Sequence, residues 1–474
     1  MIPGMMLSQK QVELFRDATE RVLETTGVKV MHEETLSLCR KAGARVDKTS
    51  GIVRMPRTLL RELLAQAPAE YVVTGVDGVR RTVGGDRQWG VAITTDPWIV
   101  DYEEKRPRRP RLEDIRRNTA VGQQLPHVLG MTCMDFPVTD VEGPHSNLVA
   151  LQEHLLHHAK HNFVYATSLD SMQRWLKIGQ VLSRGKELRG SRLFSVAVAS
   201  LSSLTVTGVN VELMKVACEY DFPVISTVCP TAGMTSPFSL AGTLTTANAE
   251  AVFLLALTQM RKPGAPFVYA LGPAVGDMKN GACLYYTLDK VLWKAASIQL
   301  GKSYGVPVSA ECGGAMVHRF DQQSGAEGML FMLSAVAAGA NLLPGFGSTL
   351  NAIGHSTEMM LIQEAYFLAA RFLAGGIRID AERLALEGID HAGAGGTYMT
   401  DDLTLKYLRG GEFFSHDLFD YSGGLEPSSS LLERAHAKVQ SMTANYASPV
   451  PQDIQEGLRR LFHDEGVSRS NPAR

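Results

Sequence analysis

TTANAEAVFLLALTQMRKPGAPFVYALG, residues 245–272, carries a long apolar helical run through a short turn into an equally apolar strand, and the pattern recurs along the chain. The strand half, PFVYALG (266–272), is apolar at nearly every position instead of alternating. A strand reads this way when helices cover both of its faces. Strands of the same kind are expected at VLGMTCM (128–134), FVYATS (163–168), LFSVAVAS (193–200), PVISTVC (223–229), PVSAEC (307–312) and ANLLPGF (340–346), most of them separated by helical stretches. Seven or eight such units over roughly 250 residues predict an α/β fold, a (β/α)8 barrel. An open doubly wound sheet is the alternative. Its dinucleotide-binding form loses support because no G-x-G-x-x-G follows a first strand.

Outward from this core, residues 1–125 read as an N-terminal helical and β extension, 126–375 as the barrel, and 376–474 as C-terminal helices and a tail packing on it. LSQKQVELFRDATERVLETTG opens with a Ser8 cap signal and ends at Gly27. Between residues 71 and 102, short β-like runs alternate with Gly and Asp turns. The basic cluster KRPRRPR (105–111) reads as a solvated linker entering a helix. The tail GVSRSNPAR (466–474) reads as disordered.

The 474 residues carry a formal net charge of −2, so no global field favours nucleic acid or an anionic membrane. No uninterrupted apolar run reaches about 18 residues, which argues against a membrane span. The six cysteines form no C-x-x-C pair and no secretory signal precedes them, so reduced thiols and a cytoplasmic location are expected.

In a barrel, function sits in the loops after the strand C-termini. Those loops offer Phe136, Cys229, Asp277, Glu311, Cys312, His318, Arg319, Gln323, Phe346 and His355, with Trp98 earlier in the chain. Glu311 reads either as a catalytic acid or as an ion-paired strut. Cys229 and Cys312 read first as small core residues. With Glu311 and His355 they would also supply zinc ligands, although no compact ligand pair marks such a site. His154, His157 and His158 in LQEHLLHHAKH lack the acidic partner of H-E-x-x-H and read as a polar helix face. Aromatic residues at strand ends would hold a quaternary ammonium by cation–π attraction, about 1–2 kcal/mol per desolvated ring.

Several segments, taken in order, resemble the trimethylamine methyltransferase superfamily, in its members without pyrrolysine. They are ATERVLETTGVKV (18–30), CRKAGARVD (39–47) and VRMPRTLLRELLAQAP (53–68), then GDMKNGACLYYTLDKVLWKAASIQLGKSYGVPVSAECGG (276–314), DQQSGAEGMLFMLSAVAAGANLL (321–343) and HAGAGGTYMTDDLTLKYLR (391–409). The His usually found near the end of the last signature is absent here. Asp321 and Gln323 match the family's Asp-x-Gln, which puts the pyrrolysine position at or beside His318.

The resemblance implies a methyltransferase that moves a methyl group from a quaternary amine, glycine betaine above all, to Co(I) of a corrinoid (cobalamin) on a partner protein. It implies no tightly bound cofactor and no metal of its own. A quaternary ammonium leaves as a neutral tertiary amine, so no covalent helper is needed. Within that reading, Glu311, His318 and Asp277 are the expected catalytic group. His355, Arg319 and Gln323 would contact the substrate, and Trp98, Phe136 and Phe346 would wall the cation. A homodimer is the expected assembly. Two other readings stay open: a zinc-dependent corrinoid methyltransferase using Cys229, Glu311 and Cys312, and a non-catalytic quaternary-amine-binding protein.

Overall fold

The computed structural model describes residues 5–423 and 428–467. Eight parallel strands close into a barrel: β1 (Trp89–Ile93), β2 (Val128–Thr132), β3 (His161–Val164), β4 (Phe194–Ala199), β5 (Val224–Thr227), β6 (Phe267–Ala270), β7 (Val308–Ser309) and β8 (Leu342–Phe346). Each strand pairs with its neighbour in sequence, and β8 closes on β1 with Leu343 opposite Gly90. β1 comes from before residue 126, so the barrel reaches back into the segment expected to be an extension. Trp89–Ile93 is nearly all buried, as a central strand demands.

One helix follows each strand: α1 (Leu112–Gln124), α2 (Ser146–His157), α3 (Leu169–Leu182), α4 (Gly208–Tyr220), α5 (Leu240–Arg261), α6 (Asp289–Ser303), α7 (Gln322–Ala338) and α8 (Thr357–Ala374). Their starts follow from capping chemistry. Ser168, Ser239 and Ser356 each accept a backbone N–H of the first turn, and Asp321 accepts two, from Gln323 and Ser324. α7 stops at Gly339, whose φ of 83° suits glycine. α5 is long and apolar enough to cross a membrane by composition, but most of that apolar window is buried inside the protein.

The N-terminal helices pack on the barrel through α5 and α6. Asn248 donates to Thr19 Oγ1 (2.7 Å), and the backbone N–H groups of Met6 and Leu7 both donate to Gln299. Ser8 caps Gln9–Thr25 in a capping box with Gln11. The basic cluster is not wholly solvated: Arg108 is held by Asp101 (2.8 Å) and by the buried Asp114 (2.7 Å). Helices Leu431–Ala444 and Gln452–Asp464 dock on α1, α2 and α3. Between α8 and these, the short helices Ala381–Leu384, Leu386–Ala392 and Asp402–Gly410 contain no buried residue. Of the tail expected to be disordered, Val467 is buried, and residues 468–474 lie outside the described residues.

α2 is not a polar face. His154 and His158 are fully buried and stacked with ring centroids 4.7 Å apart. Nδ1 of His154 bonds the hydroxyls of Thr119 (3.1 Å) and Thr94 (3.3 Å). Burial holds both rings far below the ordinary histidine range, His154 at about 3, so they are neutral core groups.

Candidate active site

At the C-terminal ends of the strands lies a cavity of about 460 Å³. It is lined by Ser226, Ala270, Ser309, Asp96, Tyr165, Cys229, Tyr285 and Glu311. Phe136, Cys283, Ser348, Asn351 and Ile353 also line it.

Two acids dominate the wall. Glu311 follows β7 and accepts a hydrogen bond from the Tyr286 hydroxyl through Oε1. Its Oε2 is buried without a hydrogen-bond partner among the described residues. Asp96 follows β1 and is 3% exposed; its Oδ2 likewise has no partner among them. Burial first, and then the charge of Glu311, push the Asp96 carboxyl well above the usual carboxylate range. Both acids line the same cavity.

The strand exits fix Asp96. Thr95 Oγ1 accepts from Met134 N (2.7 Å) and donates to Met134 O (3.0 Å), tying the loop after β1 to that after β2. Asn118 of α1 donates to Thr94 O (3.0 Å). On the other side, Asn351 accepts from Tyr285 N (2.6 Å) and donates to Cys283 O (2.8 Å), holding the tyrosine pair in place.

The Gly313–Gly314 pair explains how the chain passes this point. A Cβ on Gly313 would overlap the Gly345 carbonyl, and one on Gly314 (φ 104°) would overlap the Tyr286 ring. Only glycine lets the loop slide between β8 and that ring.

Behind the tyrosines, Lys290 and Lys294 of α6 are fully buried, with no hydrogen-bond partner for either Nζ among the described residues. Lys290 Nζ sits over the Tyr285 ring. Burial drives both amines below the ordinary lysine range, which Glu311 partly opposes. Neither lines the cavity.

Of the residues expected from sequence, the cavity gathers Glu311, Phe136 and Cys229. The others lie elsewhere. His355 is fully buried and packs against Gly347. Burial lowers its ring to about 3, and neither of its nitrogens finds a partner among the described residues. Phe346 is core, its ring filling the space above Gly90. Asp277 closes a turn by accepting Lys279 N (2.9 Å). Arg319 is exposed and paired with Asp321 (2.9 Å), and Gln323 donates to Glu327 (2.8 Å). His318 is half-buried in the loop before α7, off the cavity wall. Trp98 lies under the Arg109 guanidinium, 4.0 Å from its ring. The three zinc candidates do not converge. Cys312 is buried with Sγ toward Pro344 O, and the one cluster with metal-ligand spacing among the described residues is His32, Glu34 and Glu212, none of which lines the cavity.

Asp96 and Tyr165 are cavity residues absent from the expected catalytic and binding set. Counting Trp89–Ile93 as a barrel strand would have made Asp96 a strand-end residue, and Tyr165 directly follows β3.

A parallel barrel with an acid- and tyrosine-walled cavity at its C-terminal mouth is an enzyme framework suited to a small cation. The chain belongs to the trimethylamine methyltransferase (MTTB) family, whose model matches residues 2–464, and is a methyltransferase. It is 26% identical over 481 residues to a trimethylamine methyltransferase of Desulfitobacterium hafniense (strain DSM 10664 / DCB-2), covering 98% of this chain and 95% of that one. It is also 26% identical over 478 residues to a glycine betaine methyltransferase of D. hafniense (strain Y51), covering 97% of both. The fold matches the crystal structure of the Methanosarcina barkeri monomethylamine methyltransferase with a TM-score of 0.54, at 11% identity over 94% of this chain and 90% of that one.

Proposed function

We propose that the protein transfers a methyl group from a quaternary ammonium compound to Co(I) of a corrinoid carried by a separate protein. The observation that carries this reading is a cavity lined by two acids, Asp96 and Glu311, together with the aromatic rings of Tyr165, Tyr285 and Phe136. A permanent cation supplies the charge those acids lack, and the aromatic faces hold it without hydrogen bonds.

In the transfer, one C–N bond breaks and its electron pair stays on nitrogen, giving a neutral tertiary amine. The acceptor cobalt gives two electrons to the new Co–C bond and goes from Co(I) to Co(III). Charge on the ammonium disperses as the bond stretches, so the enzyme's part is to orient one methyl group outward and exclude water. No protein nucleophile is required.

The corrinoid is a co-substrate, and its carrier would dock over the mouth. Loops there expose Leu201, Met234, Phe238, Met278 and Ile353, with Phe238 and Met278 both beside Gly233. Such an apolar rim suits a transient partner. Glycine betaine is the donor the resemblance favours. The six free cysteines fit a reducing, cytoplasmic setting, and a homodimer is the assembly this reading carries.

The test is a donor panel with reduced cobalamin or a corrinoid protein, following methylcobalamin by absorbance. Transfer from quaternary amines but not from trimethylamine supports the proposal. No transfer from any quaternary amine, with Co(I) demonstrably present, overturns it.

A further inference from the structure

A betaine carries a carboxylate as well as its ammonium, and a carboxylate needs donors. His318, Arg319 and His355, the side chains expected at the site that could donate to one, all lie off the cavity wall. Among the described residues, no Lys, Arg or His lines it. Two of the polar groups that do are committed, which leaves neutral hydroxyls such as those of Tyr165, Tyr285 and Ser309 as the side-chain donors. Asn351 uses its oxygen on Tyr285 N and its nitrogen on Cys283 O. Ser226 donates within the barrel to Ala270 O (3.1 Å). The nearest amines, Lys290 and Lys294, are enclosed behind Tyr285 and beside Phe331.

The wall's charge has the opposite sense. Asp96 and Glu311 both line the cavity, and a substrate carboxylate would add a third acid beside that pair. Burying it there without a cation or a set of donors is strongly unfavourable.

We infer that the cavity takes a methylated ammonium cation bearing no carboxylate, of the choline or tetraalkylammonium kind, in preference to a zwitterionic betaine of similar size. The inference rests on the quaternary-amine reading above and narrows its donor. Specificity then arises by exclusion: the wall offers the ammonium acids and aromatic faces, and offers the betaine's other end no cationic partner. Asp96 and Glu311 are the residues that set it.

Calorimetric titration of the purified protein with choline and with glycine betaine tests this without any corrinoid. Choline is expected to bind at least tenfold more tightly. Glu311→Gln and Asp96→Asn, either one sufficing if the other fails to fold, should narrow that ratio. Ile353→Arg, which adds a cation to the rim, should shift it toward betaine. Betaine binding as tightly as choline, or no binding of either at millimolar concentration, overturns the inference. If betaine is the better ligand and is demethylated, this inference fails while the proposed function stands. If choline binds selectively but no quaternary amine yields methylcobalamin, the proposed function fails and the selectivity stands.

Discussion

Tyr286 donates its hydroxyl hydrogen to one oxygen of Glu311, and the other oxygen is buried without a hydrogen-bond partner among the described residues. The same hydroxyl lies 3.1 Å from Ser348 Oγ, so the carboxylate is aimed by a short chain of buried groups spanning β7 and the loop after β8. Removing the aim and removing the charge should therefore have different consequences.

Glu311→Gln is expected to lower kcat/KM for a quaternary ammonium donor at least tenfold, mainly through KM. Tyr286→Phe keeps the charge and loses one hydrogen bond to it, about 1.5–3 kcal/mol, so kcat/KM should fall about ten- to a hundredfold. Steady-state kinetics across a donor series at fixed corrinoid measures both.

Gly314→Ala should displace Tyr286. The new methyl group would overlap that ring, on a backbone of φ 104° that non-glycine residues resist. Activity should fall at least tenfold in protein that still folds, and the tyrosine should shift in a crystal structure of the variant. Unchanged kinetics would remove Tyr286 from the site.

Phe136→Ala probes the aromatic wall. Losing one desolvated ring from a cation costs about 1–2 kcal/mol, a five- to thirtyfold rise in KM with kcat little changed. Phe346→Ala, by contrast, should cost about 3–5 kcal/mol of stability as a core truncation, seen by denaturant titration.

His154, His161 and His355 are buried with pKa values lowered to about 3, 4 and 3 from the ordinary 6.5. Their folded values lie below the unfolded one, so the stability they support is present above pH 6.5 and lost as pH falls toward those values. Each contributes a loss of about 1.4 kcal/mol per pH unit in that window. Denaturant unfolding at pH 7.5 and 5.5 should show it. His355→Leu should flatten the slope and leave KM within twofold, since that ring does not face the cavity.

Seven of the eight barrel strands were legible because burial on both faces makes them continuously apolar, a signal independent of loop detail. β1 was harder. Trp89–Ile93 lies among the β-like runs of residues 71–102, which form side hairpins, and only pairing with β8 and β2 distinguishes it. Glu311 was legible as an acid at a strand end, where a buried charge needs a reason. His355 and Phe346 were not: both directly follow or end a strand, but one residue's difference in register turns a side chain from the mouth into the core. Lys290 and Lys294, spaced four apart on α6, look in sequence like a solvent-facing pair.

The seam between β1 and β8 also governs how the chain is born. Gly90 leaves the ribosome early and must wait for Leu343, so the nascent chain carries an unpaired strand edge through most of translation. Such edges invite association with other chains, and closure over so large a sequence separation is slow. Production of this protein in a foreign host should consequently respond more to slower elongation and chaperone supply than to any single stabilising substitution.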